Sequence, residues 1–307
     1  MSLLDLVARV DNLPLAFEHD CRPYYRLLLA PDPRTHGFLH PDTVARMPWP
    51  KSFSIDHDER RVVLSPPGAG HTLSSHANAA FQAAVDAAID DKLFASLNGM
   101  HSEHFVVMGA RAFVQIERFA ASLFGIATRG AHLTCYSHTP DGMLIWVARR
   151  SRALFTYAGM LDSTVAGGVQ AAHSPLDCIL DEASQEASLS RSFVAQRVRS
   201  AGTVTLANLN PATGLVHGEV LYVYDLELPP ALEPRPADDE VECFLPMTPA
   251  DVRARMARGE FKPNVCSVMV DFMLRHGLVT PEGETDYVQV CTRLRRSLPM
   301  PTAPDQF

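Results

Sequence analysis

The sequence predicts an α+β fold built on a mixed sheet, and three observations carry that expectation. Runs at 132–138, 144–149, 204–209 and 219–226 read as strands, and Asp141-Gly142 between the first two is a strong hairpin turn. A helix begins at Ser174, where a serine N-cap, Pro175 at the first helical position and Asp177 three residues on resemble a capping box. Residues 249–278 read as helical, with Gly277 a natural stop. Strands and glycine turns flanking one helix argue for a sheet covered by helices on both sides.

The 307 residues suffice for one large domain or two ordinary ones. Residues 1–109 read as a smaller α+β domain, 110–299 as the main domain with C-terminal helices, and 300–307 as a loose, Pro-rich tail. Within the first part, 3–10 reads as an amphipathic helix, 24–29 and 60–64 as strands, and 78–97 as a helix pair. Residues 31–50 carry Pro, Gly and His in loop-like clusters. His71, His76, His101 and His104 have no ligand spacing. In the main part a further strand is expected at 119–126 and a loop at 208–214. Helices are expected at 249–256, at 264–275 with Asn264 as its N-cap, and at 285–296.

Hydrophobic residues make up 47% of the chain and charged residues 20%, as in ordinary globular proteins. The net charge of −8 and the scattered Lys and Arg argue against a nucleic-acid surface. None of the six cysteines makes a C-x-x-C pair, so a zinc site is not expected. The chain opens with no basic-then-apolar leader, and no apolar run approaches ~18 residues, so no membrane span is expected. The expectation is a cytoplasmic protein with reduced thiols.

The stretch 165–189, VAGGVQAAHSPLDCILDEASQEASL, organises the rest. Gly167 and Gly168 close an apolar run and read as positions needing backbone angles that a Cβ forbids. Glu182, Gln185 and Glu186 fall at i, i+3 and i+4 and share one helix face, while Leu176, Ile179, Leu180, Ala183 and Ala187 can pack inward. Two carboxylates and an amide beside a glycine turn can hold a hard divalent cation through oxygen. Glutamates at this spacing also make an ordinary solvated face, and spacing alone leaves both readings open.

This stretch resembles a Nudix box, G-x5-E-x7-R-E-U-x-E-E-x-G-U, where U is a bulky aliphatic residue. Gly167, Glu182, Glu186 and Leu189 fall on conserved-type positions of that pattern, and Ala183 stands at the middle U. Four positions depart: His173 for the first Glu, Asp181 for Arg, Gln185 for Glu and Ser188 for Gly. The flanks Gly159-Met160-Leu161-Asp162-Ser163-Thr164-Val165-Ala166-Gly167-Gly168, Tyr222-Val223-Tyr224-Asp225, Asp239-Glu240-Val241-Glu242 and Gly259-Glu260-Phe261-Lys262-Pro263-Asn264 resemble one branch of that family. It is the branch related to the N-terminal part of fungal thiamine pyrophosphokinase, and the resemblance covers roughly residues 10–300.

The resemblance implies a Nudix α/β/α sandwich preceded by the smaller domain. It implies hydrolysis of a diphosphate linkage in a small molecule, with thiamine diphosphate or its damaged analogues as the substrate class. It implies Mg²⁺ or Mn²⁺ held by Glu182, Glu186, Gln185 and the carbonyl of Gly167, with Gly168 as an alternative carbonyl. Glu186, Glu182 and a carboxylate from outside the box, Glu219 or Glu240, would act catalytically, and Lys262 would contact phosphate. Gln185 removes a charge from the ligand set, and Asp181, if it turns inward, would replace it. The departures leave a second reading open, an impaired module that binds a diphosphate as a sensor. Kinase activity itself is not expected, and a homodimer is a candidate assembly.

Overall fold

The computed structural model describes residues 1–97 and 103–304, so His101 lies outside the described residues. Helix α1 (Leu3–Ala8) starts in a capping box between Ser2 and Asp5 and buries Leu3, Leu6 and Val7. An N-terminal sheet follows, formed by β1 (Tyr25–Leu29), β2 (Thr35–Leu39), β3 (Phe53–Asp56) and β4 (Arg61–Leu64), with helix α2 (Pro41–Arg46) after β2. Its strand order is β2-β1-β4-β3. Helix α3 (Leu73–Asp90) lays Ala77, Phe81, Ala84 and Ala88 on it in one apolar cluster.

Two expectations for this part are corrected, and one for the segment that opens the main part. Residues 31–50 are not a loop but hold β2 and α2. Gly37 in β2 admits the Phe124 carbonyl, since a Cβ there would lie 2.3 Å from it. The expected helix pair at 78–97 is the single helix α3, ended at Asp91 and Lys92, whose φ is +52°. The strand expected at 119–126 is instead the short helix α4 (Ala120–Leu123), which follows β5 (His104–Val106) and β6 (Gln115–Glu117). Glu117 accepts the Ala120 N–H at 2.8 Å, and Gly125 turns the chain at φ +62° where its backbone meets Phe38.

The main sheet contains β7 (Thr128–Thr139), β8 (Gly142–Arg150), β9 (Leu161–Asp162), β10 (Val165–Gly168), β11 (Arg199–Leu209), β12 (Val216–Glu227) and β13 (Val241–Met247). Its path is β11-β12-β7-β8-β13, with β10 on β7 and β9 on β8. β12 runs parallel to β7 and the other pairings are antiparallel, so the sheet is mixed as expected. The β7–β8 hairpin closes at Thr139↔Gly142, as Asp141-Gly142 predicts.

Helices cover both faces. On one, α5 (Pro175–Ala187) and α6 (Arg191–Arg197) pack against Leu133, Cys135, Trp146 and Leu226. On the other, α7 (Pro249–Ala257), α8 (Pro263–Arg275) and α9 (Tyr287–Arg293) pack against Ile145, Val147, Leu221 and Val223. Helix α1 joins this second layer, packing with α8 and α9 rather than with the N-terminal sheet. Residues expected to form a loose tail are held instead: Met300 is buried, and Arg34 donates to the carbonyls of Ala303 and Pro304. Residues 305–307 lie outside the described residues. No helix among the described residues is long and apolar enough to cross a membrane.

Candidate active site

The Ser174–Asp177 capping box forms as the sequence predicts. Ser174 Oγ accepts the Asp177 N–H at 3.1 Å, and Asp177 accepts the Ser174 N–H at 3.3 Å. Helix α5 then buries Cys178, Ile179, Leu180, Ala183 and Ala187, while Leu176 stays 38% exposed rather than packing inward. That choice of buried face sends Glu182 and Glu186 toward β10, where Glu186 Oε2 accepts the Ala166 N–H at 3.3 Å.

Gly167 and Gly168 are ordinary strand residues, not positions of left-handed backbone. What they supply is space. A Cβ on Gly167 would lie 2.2 Å from Glu182 Oε1, and one on Gly168 would lie 2.7 Å from the Phe105 ring. Gly130 on β7 is the third small residue of this floor. A Cβ there would lie 3.8 Å from the Gly167 carbonyl and 3.9 Å from Glu219 Oε1.

One cavity of about 440 Å³ brings the expected residues together: Glu182, Gln185, Glu186, Gly167, Glu219, Glu240 and Lys262 all line it. Asn264 does too, but not as an N-cap. Lys262 occupies that position with no side-chain capping bond, while Asn264 Nδ2 donates to Glu219 Oε2 at 3.2 Å. Asp181 does not turn inward, because it pairs with Arg191 on the outer side of α5. His173 is exposed.

The carboxylates are strained electrostatically. Burial, then the charges of Glu240 and Glu103, pushes Glu182 up to about 7. Burial, then Glu182 and Asp162, holds Glu186 well above the usual carboxylate range. Besides Lys262, the cavity's cations are residues the sequence did not single out. Arg118 pairs with Glu103 at 2.7 Å, while Lys262 and Arg150 flank the buried Asp162 at 3.8 and 3.2 Å. Arg129 is pushed below its ordinary value by burial. The Nε atoms of Arg129 and Arg150 are buried with no acceptor among the described residues. Beneath them His132 is fully buried, bonded to Ser163 Oγ at 2.9 Å and pushed down to about 4 by burial, so it is neutral at physiological pH.

No family model matches the chain. An uncharacterised protein of Saccharomyces cerevisiae is 30% identical over 321 residues, covering 98% of this chain and 92% of that one. Nudix hydrolase 20 of Arabidopsis thaliana, described as chloroplastic, is 35% identical over 201 residues, which is 64% of this chain and 53% of the relative. Nudix hydrolase 24 of the same plant is 34% identical over 201 residues. Over 64% of its length the chain is thus similar to two Nudix hydrolases. It spans about half the length of the two plant relatives. Similar solved structures include a Deinococcus radiodurans protein (20% identical, 54% of this chain and 97% of that one, TM-score 0.42). Another is the Nudix domain of Shewanella oneidensis NrtR complexed with ADP ribose (13% identical, 51% and 91%, TM-score 0.39).

The stretch that resembles a Nudix box consists of β10, the 169–174 loop and α5. Among the described residues no three His, Cys, Asp or Glu side chains form a ready metal group. The donors present are two carboxylates, the Gln185 amide and the Gly167 carbonyl. All are oxygen, which suits Mg²⁺ or Mn²⁺. The buried Glu186 and half-buried Glu182 repel each other and make no salt bridge among the described residues, which fits such an ion.

Proposed function

We propose that this protein is a Nudix hydrolase, a divalent-cation-dependent hydrolase of a diphosphate linkage in a small molecule. The observation that carries this is the division of one cavity into two charged halves. Burial, and then neighbouring carboxylates, hold Glu182 and Glu186 up, and Lys262, Arg129 and Arg150 line the same cavity, the two arginines with Nε atoms that have no acceptor among the described residues. A diphosphate suits those halves: its oxygens would pair with Arg129, Arg150 and Lys262, and Glu182 and Glu186 would hold a divalent cation that neutralises phosphate charge.

Glu182, Glu186, Gln185 and the Gly167 carbonyl would hold Mg²⁺ or Mn²⁺. When bound, the cation supplies neutralisation of phosphate charge and Lewis acidity. Arg129, Arg150 and Lys262 orient the phosphates. Glu219, fixed by Asn264, accepts a proton from the attacking water, and burial beneath α5 limits bulk water at the carboxylates. Thiamine diphosphate or its damaged analogues is the substrate class we favour, on the resemblance of the flanking motifs. Gln185, one charge short of a full set, favours as second reading a module that binds without turnover.

The test is Mn²⁺ titration together with phosphate release from thiamine diphosphate, its oxidised analogues, ADP-ribose and nucleoside diphosphates. Metal-dependent release supports the hydrolase. Mn²⁺ binding with no release on any of them supports the second reading, and absence of Mn²⁺ binding refutes both.

A further inference from the structure

One wall of the main cavity comes from the β5–β6 hairpin. Glu103 precedes β5, Phe105 lies in it and Arg118 follows β6, and all three line the space. Two contacts dock this hairpin on the loop between β10 and α5. The Ala171 N–H donates to the His104 carbonyl at 2.7 Å, and the Phe105 ring lies against Gly168. The Arg118 N–H also donates to the Glu103 carbonyl at 3.0 Å, so backbone bonds join the two residues. The hairpin therefore stays in place without the ion pair between their side chains.

That pair differs from the cavity's other cation contacts. Arg150 and Lys262 share Asp162, whose side chain is only 6% exposed and cannot swing away. Arg129 donates to a backbone atom, the Gln170 carbonyl. Arg118 donates instead to a carboxylate that is 38% exposed and belongs to the cavity itself. An ion pair this open to solvent is held weakly.

Each partner also has a second support. The Arg118 guanidinium carbon lies 5.7 Å from the ring centres of both Phe105 and Phe119, which keeps it at the wall when Glu103 moves. Gln170 Nε2 donates to Glu103 Oε1 at 3.3 Å, while Arg118 takes Oε2. Both side chains lie close enough to Glu182 for their charges to act on it. Arg118 thus faces the cavity with a displaceable anion already on it. A phosphate group carries more charge than a carboxylate and offers the guanidinium fork a matching bidentate edge.

We propose that Glu103 and Arg118 form a latch on the main cavity: a phosphate group of the ligand displaces Glu103 and takes Arg118, so that the N-terminal lobe grips the anion. The proposal rests on the reading of the main cavity as a diphosphate site. Glu103 stands where the phosphate will pair, and competes with it.

The test is calorimetric binding of methylenediphosphonate, a diphosphate that cannot be hydrolysed, with Mg²⁺ present. Arg118→Gln should weaken binding by about tenfold or more, through loss of a charge-assisted pair. Glu103→Gln should tighten it by roughly threefold or more, since the competing charge is gone. That gain should disappear in the Arg118→Gln background, as expected of two groups in one contact. Circular dichroism checks that the variants keep the wild-type fold. Weaker binding in Glu103→Gln, or unchanged binding in Arg118→Gln, overturns the latch and leaves the diphosphate reading standing. An equal gain from Glu103→Gln in both backgrounds also overturns it, because simple repulsion then accounts for the effect. A wild-type protein that binds no methylenediphosphonate overturns the diphosphate reading and the latch together.

Discussion

Gly167 and Glu182 are in contact without room for a single added carbon: a Cβ on Gly167 would lie 2.2 Å from Glu182 Oε1 and 2.7 Å from its carboxyl carbon. The glycine shapes the carboxylate's seat. Gly167→Ala must therefore displace Glu182 while leaving the rest of α5 packed. Mn²⁺ affinity should fall roughly 10- to 100-fold, the range for losing a group that orients a metal ligand, with far-UV circular dichroism unchanged. Wild-type affinity in this variant would contradict the assigned contact.

The raised carboxyls set a pH dependence. Glu182 takes up its proton at about 7 in the fold, against a reference value of 4.5, and Glu186 is raised in the same direction. The native state thus holds more protons than the unfolded chain, and stability falls as pH rises through this window. His132 acts oppositely: buried and pushed down to about 4, it makes stability rise with pH up to its reference value of 6.5. Between pH 6.5 and 8 only the carboxyls remain in play, so metal-free stability should decline there. Across its full range Glu182 contributes up to about 3 kcal/mol of this loss. Denaturant midpoints at pH 6.5 and 8 measure the decline, and Mg²⁺ should reverse it. A flat profile for the metal-free protein would refute the crowding described.

Asp181 pairs with Arg191 on a partly exposed face and has no part in the cavity. Asp181→Asn should leave Mg²⁺ affinity within about twofold and stability within about 1 kcal/mol, as for other surface pairs. A larger loss of metal affinity would return Asp181 to the ligand set.

Ser188 ends α5 in left-handed backbone, with φ +55° and ψ +26°, at the position where the Nudix pattern carries glycine. A side chain is strained there. Ser188→Gly should stabilise the protein by about 0.5–1 kcal/mol in urea unfolding, with activity unaltered. Destabilisation would mean that the serine side chain makes a compensating contact.

What was legible in the sequence followed local chemistry. The capping box at Ser174, the Asp141-Gly142 turn and the i, i+4 pair Glu182/Glu186 are short-range signals, and each appears where expected. What was missed depends on distant partners. Residues 119–126 look extended, yet the Glu117 carboxylate and the approach of Phe38 make a helix and a turn. Arg118, Arg129 and Arg150 are scattered along the chain and converge only when β7, β8 and the N-terminal lobe meet. Gly130 was the available clue, a small residue paired with Gly168 across β7 and β10. Asn264 carries a good capping side chain, but Glu219 competes for it and wins.

The most direct test of the central claim is divalent-dependent phosphate release by the wild-type protein and by Glu186→Gln, on whichever diphosphate turns over fastest. Glu186 is buried and bonded to the Ala166 amide, and the glutamine is nearly isosteric, so the fold is expected to survive. The account predicts a loss of about 10²-fold or more in kcat with the melting temperature kept or raised. Undiminished turnover in Glu186→Gln would contradict it.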